Sequence, residues 1–265
     1  MAGNIVISQI NGGPIGVINA IINGNFQVNQ RGVSGTVTLA AGAYGHDRWK
    51  AGASGCTYTF ATSNNVTTLT ISSGSLIQVI EGINLYSDTY TLSWTGTAQG
   101  KIGAGSYAGS GVTGSVTGGT NLNIEFNTGT VSLVQFEPGV EASPFERRDY
   151  GRELMMCQRY YEQMNFTSGQ DLCMAFANSG SLTQTLGVIP YTVVKRALPT
   201  VTSSAASTFK YNWLASGLTG TSFLALSANL TAGTMLLGLG SNAGQIAGYF
   251  GTTGSASFIA FSAEL

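Results

Sequence analysis

The fold of this chain is decided by two short stretches, Cys-Thr-Tyr-Thr-Phe at residues 56–60 and Val-Thr-Thr-Leu-Thr-Ile at residues 66–71. In both, larger apolar side chains alternate with hydroxyl side chains, with the period of two that is typical of half-buried β-strands. Their β-branched and aromatic residues also favour strands over helices. The two stretches therefore predict strands that each bury one face.

Short runs of the same kind continue on both sides and end at Gly, Asn, Ser or Pro. Between residues 23 and 135 their number and spacing are typical of a sandwich or jelly roll. Further runs follow residue 165, where Pro190 and Pro199 indicate edge strands because proline cannot donate to a strand ladder. We therefore predict an all-β chain with two β-sandwich, jelly-roll-like domains.

The composition indicates a subunit of an assembly. Apolar residues make up 43% of the chain, enough for a core, whereas charged residues make up only 9%, against about 25% in a typical domain. The net charge of −1 favours neither nucleic acid nor an anionic membrane as a partner. Since proteins of near-zero net charge tend to associate, we expect this chain to assemble with copies of itself or with other proteins.

One segment departs from this composition. Ten of the chain's 23 charged residues lie between Glu137 and Glu162. Asp149 is a good N-cap, and it predicts a helix from Tyr150 to about Met164. The spacing of Leu154, Cys157 and Tyr161 predicts a shared apolar face that packs on the second domain or on other copies of the chain. We expect no ion pair at Glu153.

The first 23 residues are predicted to form an extended arm. Ile5 and Ile7 alternate with Val6 and Ser8, so the arm is either a strand added to a neighbouring subunit or the first strand of its own domain. It has no basic leader or cleavage site, and no apolar run reaches the roughly 20 residues that span a bilayer. The predicted divisions are an arm at 1–23, a jelly roll at 24–148, a helical joint at 149–164 and a second sandwich at 165–265.

The residues that catalysis needs are scarce. His46 is the only histidine, and we expect it to have a structural role. The three cysteines match no metal-binding spacing and are expected to be free thiols, so we predict no metal, no cofactor and no enzymatic activity. A glycosidase would need two facing carboxylates, for which Glu81 or Asp88 with Glu125 are the candidates, although solvated strand ends are the simpler interpretation.

Aromatic side chains could bind sugar, although packing in the core is the simpler role for each of them. The candidate glycan contacts are Tyr86 and Trp94 in the first domain, and Tyr211 and Trp213 in the second. Other aromatic residues considered for this role are Trp49, Tyr90, Tyr107, Tyr249 and Phe250.

Two segments carry a more specific signal. The first is INGNFQVNQRG at residues 22–32, followed by YGHDRW at residues 44–49. The second contains QFEPG at residues 135–139, SPFERR at residues 143–148 and CQRYY at residues 157–161. In order and spacing they resemble a widespread class of bacteriophage tail-fibre and virion-surface proteins. The resemblance implies a trimeric virion component with a jelly roll similar to carbohydrate-binding modules, and it carries over no catalytic residue.

The motif residues have structural interpretations. Arg31, Asp47 and Arg48 can form a buried charge network near Trp49. Pro144 and Phe145 can plug the edge of the sandwich, while Glu146, Arg147 and Arg148 pair at its rim.

The sequence thus leaves three functions open. The first is a tail fibre or receptor-binding subunit that contacts host surface glycan, the second a capsid decoration protein, and the remote third a polysaccharide depolymerase. The expected partners are two further copies in a homotrimer, other virion proteins through the arm, and host polysaccharide. The expected location is the tail or capsid surface of a virion that assembles in the bacterial cytoplasm.

Overall fold

The structure, a computed structural model, describes residues 19–167, 171–177, 183–213, 216–239, 247–253 and 257–265. Strands account for 52% of the residues and helices for 7%, so the predicted all-β class is confirmed. The chain divides into two compact units, with the boundary between Glu153 and Leu154. Most of the predicted arm, residues 1–18, lies outside the described residues.

Residues 19–153, the described part of the first unit, contain eight strands. They are β1 (Val37–Leu39), β2 (Lys50–Ser63), β3 (Val66–Ile80), β4 (Asp88–Thr95), β5 (Gly100–Ile102), β6 (Val112–Val116), β7 (Leu122–Phe126) and β8 (Gly129–Pro138). The two stretches that decide the fold lie in β2 and β3, which form a long antiparallel hairpin through the turn at residues 64–65.

Strands β3 and β8 change partners along their length, and this builds the sandwich. β3 pairs with β8 at residues 69–71 and with β7 at residues 76–80. β8 leaves β3 after residue 131 and then pairs with β4, and at this change Leu133 has a positive φ of 50°. One continuous sheet therefore folds over itself and encloses a core that includes Trp49, Tyr58, Phe126 and Phe136.

The chain has one α-helix in the part that the structure describes, α1 (Tyr150–Gln158). Asp149 caps it as predicted, because its Oδ1 accepts hydrogen bonds from the backbone N–H groups of Gly151 and Arg152. The helix does not extend to Met164 as predicted, since Tyr161 already lies in a strand. At nine residues, α1 is too short to cross a membrane.

The part of the second unit that the structure describes contains nine strands. They are β9 (Tyr161–Phe166), β10 (Asp171–Ala177), β11 (Gln184–Pro190), β12 (Thr200–Ser203), β13 (Phe209–Trp213), β14 (Ser216–Ala228), β15 (Ala232–Leu239), β16 (Ala247–Thr252) and β17 (Ser257–Ser262).

Six strands of this unit close into a barrel in the order β10-β11-β15-β14-β13-β16, and the other three form a sheet in the order β12-β17-β9. A closed barrel thus takes the place of the open sandwich that the sequence predicted. Two register shifts in β14, near residues 221 and 224, bend this long strand, and such bulges allow a sheet to curve into closure. Pro190 lies at the end of β11, and Pro199 directly precedes β12.

Candidate functional site

The leading segment of the first unit, residues 19–23, lies against its trailing segment, residues 143–153. The Asn19 side chain bonds to the backbone of Val134 and Phe136 in β8, at 3.0 Å in both cases. The amide of Gln78 exchanges two hydrogen bonds, of 2.7 and 2.8 Å, with the backbone of Ile22. These residues were predicted to belong to the arm; instead, residues 19–23 are part of the sandwich.

Charged side chains of the trailing segment hold the leading segment in place. Arg148 donates to the carbonyl oxygens of Asn19 and Ile21, and its guanidinium lies 3.6 Å from Glu146 and 3.4 Å from Glu153. Glu153 also accepts a short hydrogen bond from the backbone N–H of Asn23. The expectation of no ion pair at Glu153 was therefore wrong, since Glu153 is buried and paired with Arg148.

We call this set of contacts the closing network. It continues along β8, where Gln135 donates to Glu137 at 2.8 Å and accepts from the backbone N–H of Glu146 at 2.7 Å. Ser143 donates to both carboxylate oxygens of Glu137. The other motif residues expected at this rim, Pro144 and Arg147, are exposed, and Phe145 is half-buried.

The two segments that carry the specific sequence signal, residues 22–49 and 135–161, meet at Asn23. The indole N–H of Trp49 donates to the carbonyl oxygen of Asn23 at 3.0 Å, and the Asn23 side chain bonds to Val28 and Asp47. The following Gly24 packs directly on β8, where a Cβ atom would lie 2.2 Å from the carbonyl oxygen of Val134. These contacts explain why Asn and Gly stand together in this motif.

Two residues of the charge network expected near Trp49, Asp47 and Arg48, are buried. Asp47 is fully buried, lies 3.8 Å from Arg31 and accepts two hydrogen bonds from Gln30. Arg48 has a positive φ of 72° and donates to the carbonyl oxygen of Val79 at 2.6 Å. Arg31 and Asp47 thus lie together, and Arg48 reaches β3.

The aromatic residues predicted as glycan contacts have different environments. Tyr86 is 47% exposed, so its ring is accessible. Trp94 and Tyr211 are buried, which contradicts a role in direct contact for either of them. The side chain of Trp213 lies outside the described residues.

A second group of polar residues lies on the face of the first sheet opposite the core. By register, Lys50, Ile77, Glu125 and Lys101 lie side by side across β2, β3, β7 and β5. Their neighbours along β3 and β7 (Leu76, Ile124 and Phe126) point into the core, and successive residues of a strand face opposite sides.

A tyrosine stands at each end of this row. Lys101 Nζ lies 2.9 Å from Glu125 and 4.7 Å from the ring centroid of Tyr107, and the Tyr107 hydroxyl donates to Glu125 at 2.8 Å. At the other end, Lys50 Nζ lies 6.0 Å from the ring of Tyr44. We call Tyr44, Lys50, Glu125, Lys101 and Tyr107 the polar row.

The carboxyl group of Glu125 is held in its ionised form. Burial alone would raise its pKa, but hydrogen bonds from Ser75, Lys101 and Tyr107 outweigh burial and lower the pKa below its ordinary value. Gly52 leaves space for this arrangement, since a Cβ atom there would lie 2.0 Å from Ser75 Oγ. An ionised carboxylate can accept hydrogen bonds from sugar hydroxyls, whereas a glycosidase acid needs a raised pKa.

An uncharged groove of about 390 Å³ lies near the free edges of β5 and β6. The residues that line it include the apolar Ile102 and Leu122 and the polar Ser115, Thr120 and Asn121. The groove therefore offers neutral hydroxyl and amide groups beside the strand that carries Lys101.

The second unit contains a buried ion pair. Lys195 Nζ lies 2.5 Å from Glu162, in β9, and donates to the carbonyl oxygen of Gln158 at the end of α1. Glu162 also accepts hydrogen bonds from the backbone and hydroxyl of Thr192. These contacts attach the loop after β11 to β9 and to the end of α1.

The cysteines and acidic residues give no sign of a metal site in the described ranges, where no group of three or more His, Cys, Asp or Glu side chains could hold an ion. Cys56 is a buried free thiol, and Cys157 is also buried. Burial raises the pKa of Cys56 to about 11, so this thiol stays protonated. The side chain of Cys173 lies outside the described residues.

No protein-family model, no curated protein sequence and no solved structure matches this chain. Its function is therefore inferred from its residues and their geometry.

Proposed function

We propose that this chain is a structural subunit of a bacteriophage virion, a homotrimeric tail-fibre or receptor-binding protein that contacts host surface glycan. The observation that carries the proposal is the ordered pair of motifs at residues 22–49 and 135–161, which resembles phage tail-fibre and virion-surface proteins. Their meeting at Asn23 supports it, because residues so far apart in sequence then serve one purpose, the closure of the jelly roll.

The partners and location follow from the same proposal. In this proposal, residues 1–18 of the predicted arm bind other virion proteins, and assembly takes place in the cytoplasm of the bacterial host. The low charge of the chain supports contacts with proteins and glycan over contacts with nucleic acid.

The polar row is the proposed glycan contact. Aromatic rings offer an apolar face with a polar tip, and Lys101 and Glu125 add a donor and an acceptor for sugar hydroxyls. The low pKa of Glu125 favours binding over the acid chemistry of a depolymerase.

The row can be tested by adsorption of the purified full-length protein to host cells. We expect Tyr107→Ala to weaken adsorption about tenfold, a loss of roughly 1.4 kcal/mol, while the protein keeps its circular dichroism spectrum. Tyr150→Ala is the matched control, since Tyr150 is 53% exposed and lies outside the row. Equal adsorption of both variants and wild type would contradict the proposed contact between the polar row and glycan.

The number of copies on the particle separates a fibre from a capsid decoration protein. Gel densitometry of purified virions should give between a handful and a few dozen copies for a tail fibre. Hundreds of copies would overturn the fibre proposal and favour decoration of the head. If the chain were absent from purified particles, the proposal of a virion protein would fail altogether.

A further inference from the structure

The outer face of the barrel in the second unit is apolar where solvent-facing strands are normally polar. Along β11, Thr185, Gly187 and Ile189 are buried, whereas Leu186, Val188 and Pro190 are exposed. Strands that carry apolar residues on both faces are typical of strands covered on both sides, while an antiparallel strand with one solvated face alternates apolar and polar residues. β11 thus has the composition of a covered strand.

Neighbouring strands extend this face. Phe176 in β10 lies directly opposite Leu186, and Leu236 in β15 lies opposite Leu186 on the other side. Residues directly opposite each other project from the same face of a sheet. Phe176 is 51% exposed, Leu186 43% and Val188 53%. We call Phe176, Leu186, Val188, Pro190 and Leu236 the apolar face.

The first unit shows what a solvated strand of this chain contains. In β3, Leu69 and Ile71 are buried and point into the core, while the alternate positions are Thr68, Thr70 and Ser72. The low overall charge of the chain therefore does not explain the apolar face, because hydroxyl residues take the outward positions on β3.

The charges of these strands and the net charge of the chain indicate what covers the apolar face. Among the residues of β10, β11 and β15, Asp171 alone is charged, and it stands at the other end of β10 from Phe176. An uncharged apolar surface is complementary to a second copy of itself, and a net charge of −1 gives the copies little reason to repel each other.

We infer that the apolar face is the surface through which copies of this chain associate. The number of copies in this inference, three, rests on the proposed function. The place of contact between them rests on the structure. It assigns the main contact to β10, β11 and β15 of the barrel, which the sequence had not indicated.

The test is the mass of the full-length protein, measured by light scattering after size exclusion over a range of concentrations. Wild type is expected to have the mass of an oligomer, and Leu186→Asp the mass of a monomer. Ile83→Asp is the matched control, since Ile83 is 84% exposed in the first unit, and this variant should associate like wild type.

A second variant covers the case in which Leu186→Asp fails to fold. In the double variant Leu186→Thr, Val188→Thr, β-branched residues preserve strand propensity but make the face polar, and its dissociation constant should rise at least tenfold. A monomeric wild type, or a folded double variant that associates as tightly as wild type, would overturn the inference. A monomeric wild type would also contradict the trimer of the proposed function, whereas tight association of the folded double variant would overturn this inference alone and leave the proposed function standing.

Discussion

His46 shows how one buried residue makes stability depend on pH. It is 1% exposed, and its Nδ1 lies 3.0 Å from the hydroxyl of Tyr58. Burial lowers the pKa of His46 from 6.5 to about 4, so the folded protein keeps the ring neutral where the unfolded chain is protonated. Stability from this residue is complete above pH 6.5 and is lost as the pH falls toward 4.

We therefore expect the free energy of unfolding to fall by about 2 kcal/mol between pH 7 and pH 5 through His46 alone. Urea unfolding at several pH values would measure this. In His46→Gln, which cannot be protonated, that part of the slope should disappear. Parallel pH profiles for the variant and wild type would contradict the burial of a neutral imidazole.

The pair of Lys195 and Glu162 makes a second prediction at this scale. Their side chains are 0% and 3% exposed, so neither charge can return to water when its partner is removed. Lys195→Met should destabilise the second unit by about 3 to 5 kcal/mol, whereas the double variant Lys195→Met, Glu162→Leu should recover much of the loss. Urea unfolding checks both, and a double variant less stable than the single one would contradict the account.

The contacts of single residues were also the feature that the sequence predicted least completely. The spacing of motif residues indicated that Arg31, Asp47 and Arg48 act together, but it did not indicate the hydrogen bond from Arg48 to Val79, which lies 31 positions away in sequence. Lys50 and Lys101 meet Glu125 in one row only through the pairing of four strands. Local sequence patterns do not determine the register in which these four strands pair.

At the scale of elements, the closing network ties the trailing segment to the leading one. Arg148→Met would leave Glu153 and Glu146 without their cation and release two backbone carbonyls. We expect a loss of about 3 kcal/mol and faster hydrogen exchange at Ala20 and Asn23, measured by mass spectrometry or NMR.

The neighbouring arginine provides the control for this prediction. Arg147 is exposed, so Arg147→Met should change stability by no more than about 0.5 kcal/mol. If the two variants were equally stable, Arg148 would not hold the leading segment in place.

The helix shows which parts of an element can be predicted. Its start at Tyr150 follows from the local capping chemistry of Asp149, which the sequence contains. Its end does not, because Leu154, Cys157 and Tyr161 fit helical spacing, while Tyr161–Phe166 pair with β17, about 100 residues later in the chain. Long-range pairing overrides local periodicity here.

The burial of α1 also differs from the predicted apolar face. Glu153 and Cys157 are its buried positions, Leu154 is half-buried, and Tyr161 is not helical. The sequence predicted no ion pair at Glu153, whereas its ion pair with Arg148 allows its burial. Leu154→Asp still tests the predicted role of the helix in trimer formation, and it should weaken association less than Leu186→Asp.

At the scale of the whole molecule, the strand content and the division into two β-rich parts could be predicted because they depend on local alternation and turns. The closure of the second unit into a barrel could not, since it depends on which strands meet, β16 with β10 and β13. The apolar face escaped notice for the same reason: Phe176, Leu186 and Leu236 are neighbours only in the folded barrel.

The central claim is that this chain is a trimeric virion subunit, and a cryo-electron microscopy map of the intact particle tests it most directly. The account predicts density for three copies around one axis on the tail, with β10, β11 and β15 of each barrel at the contacts between copies. A map in which every surface protein is accounted for without this chain would contradict the claim.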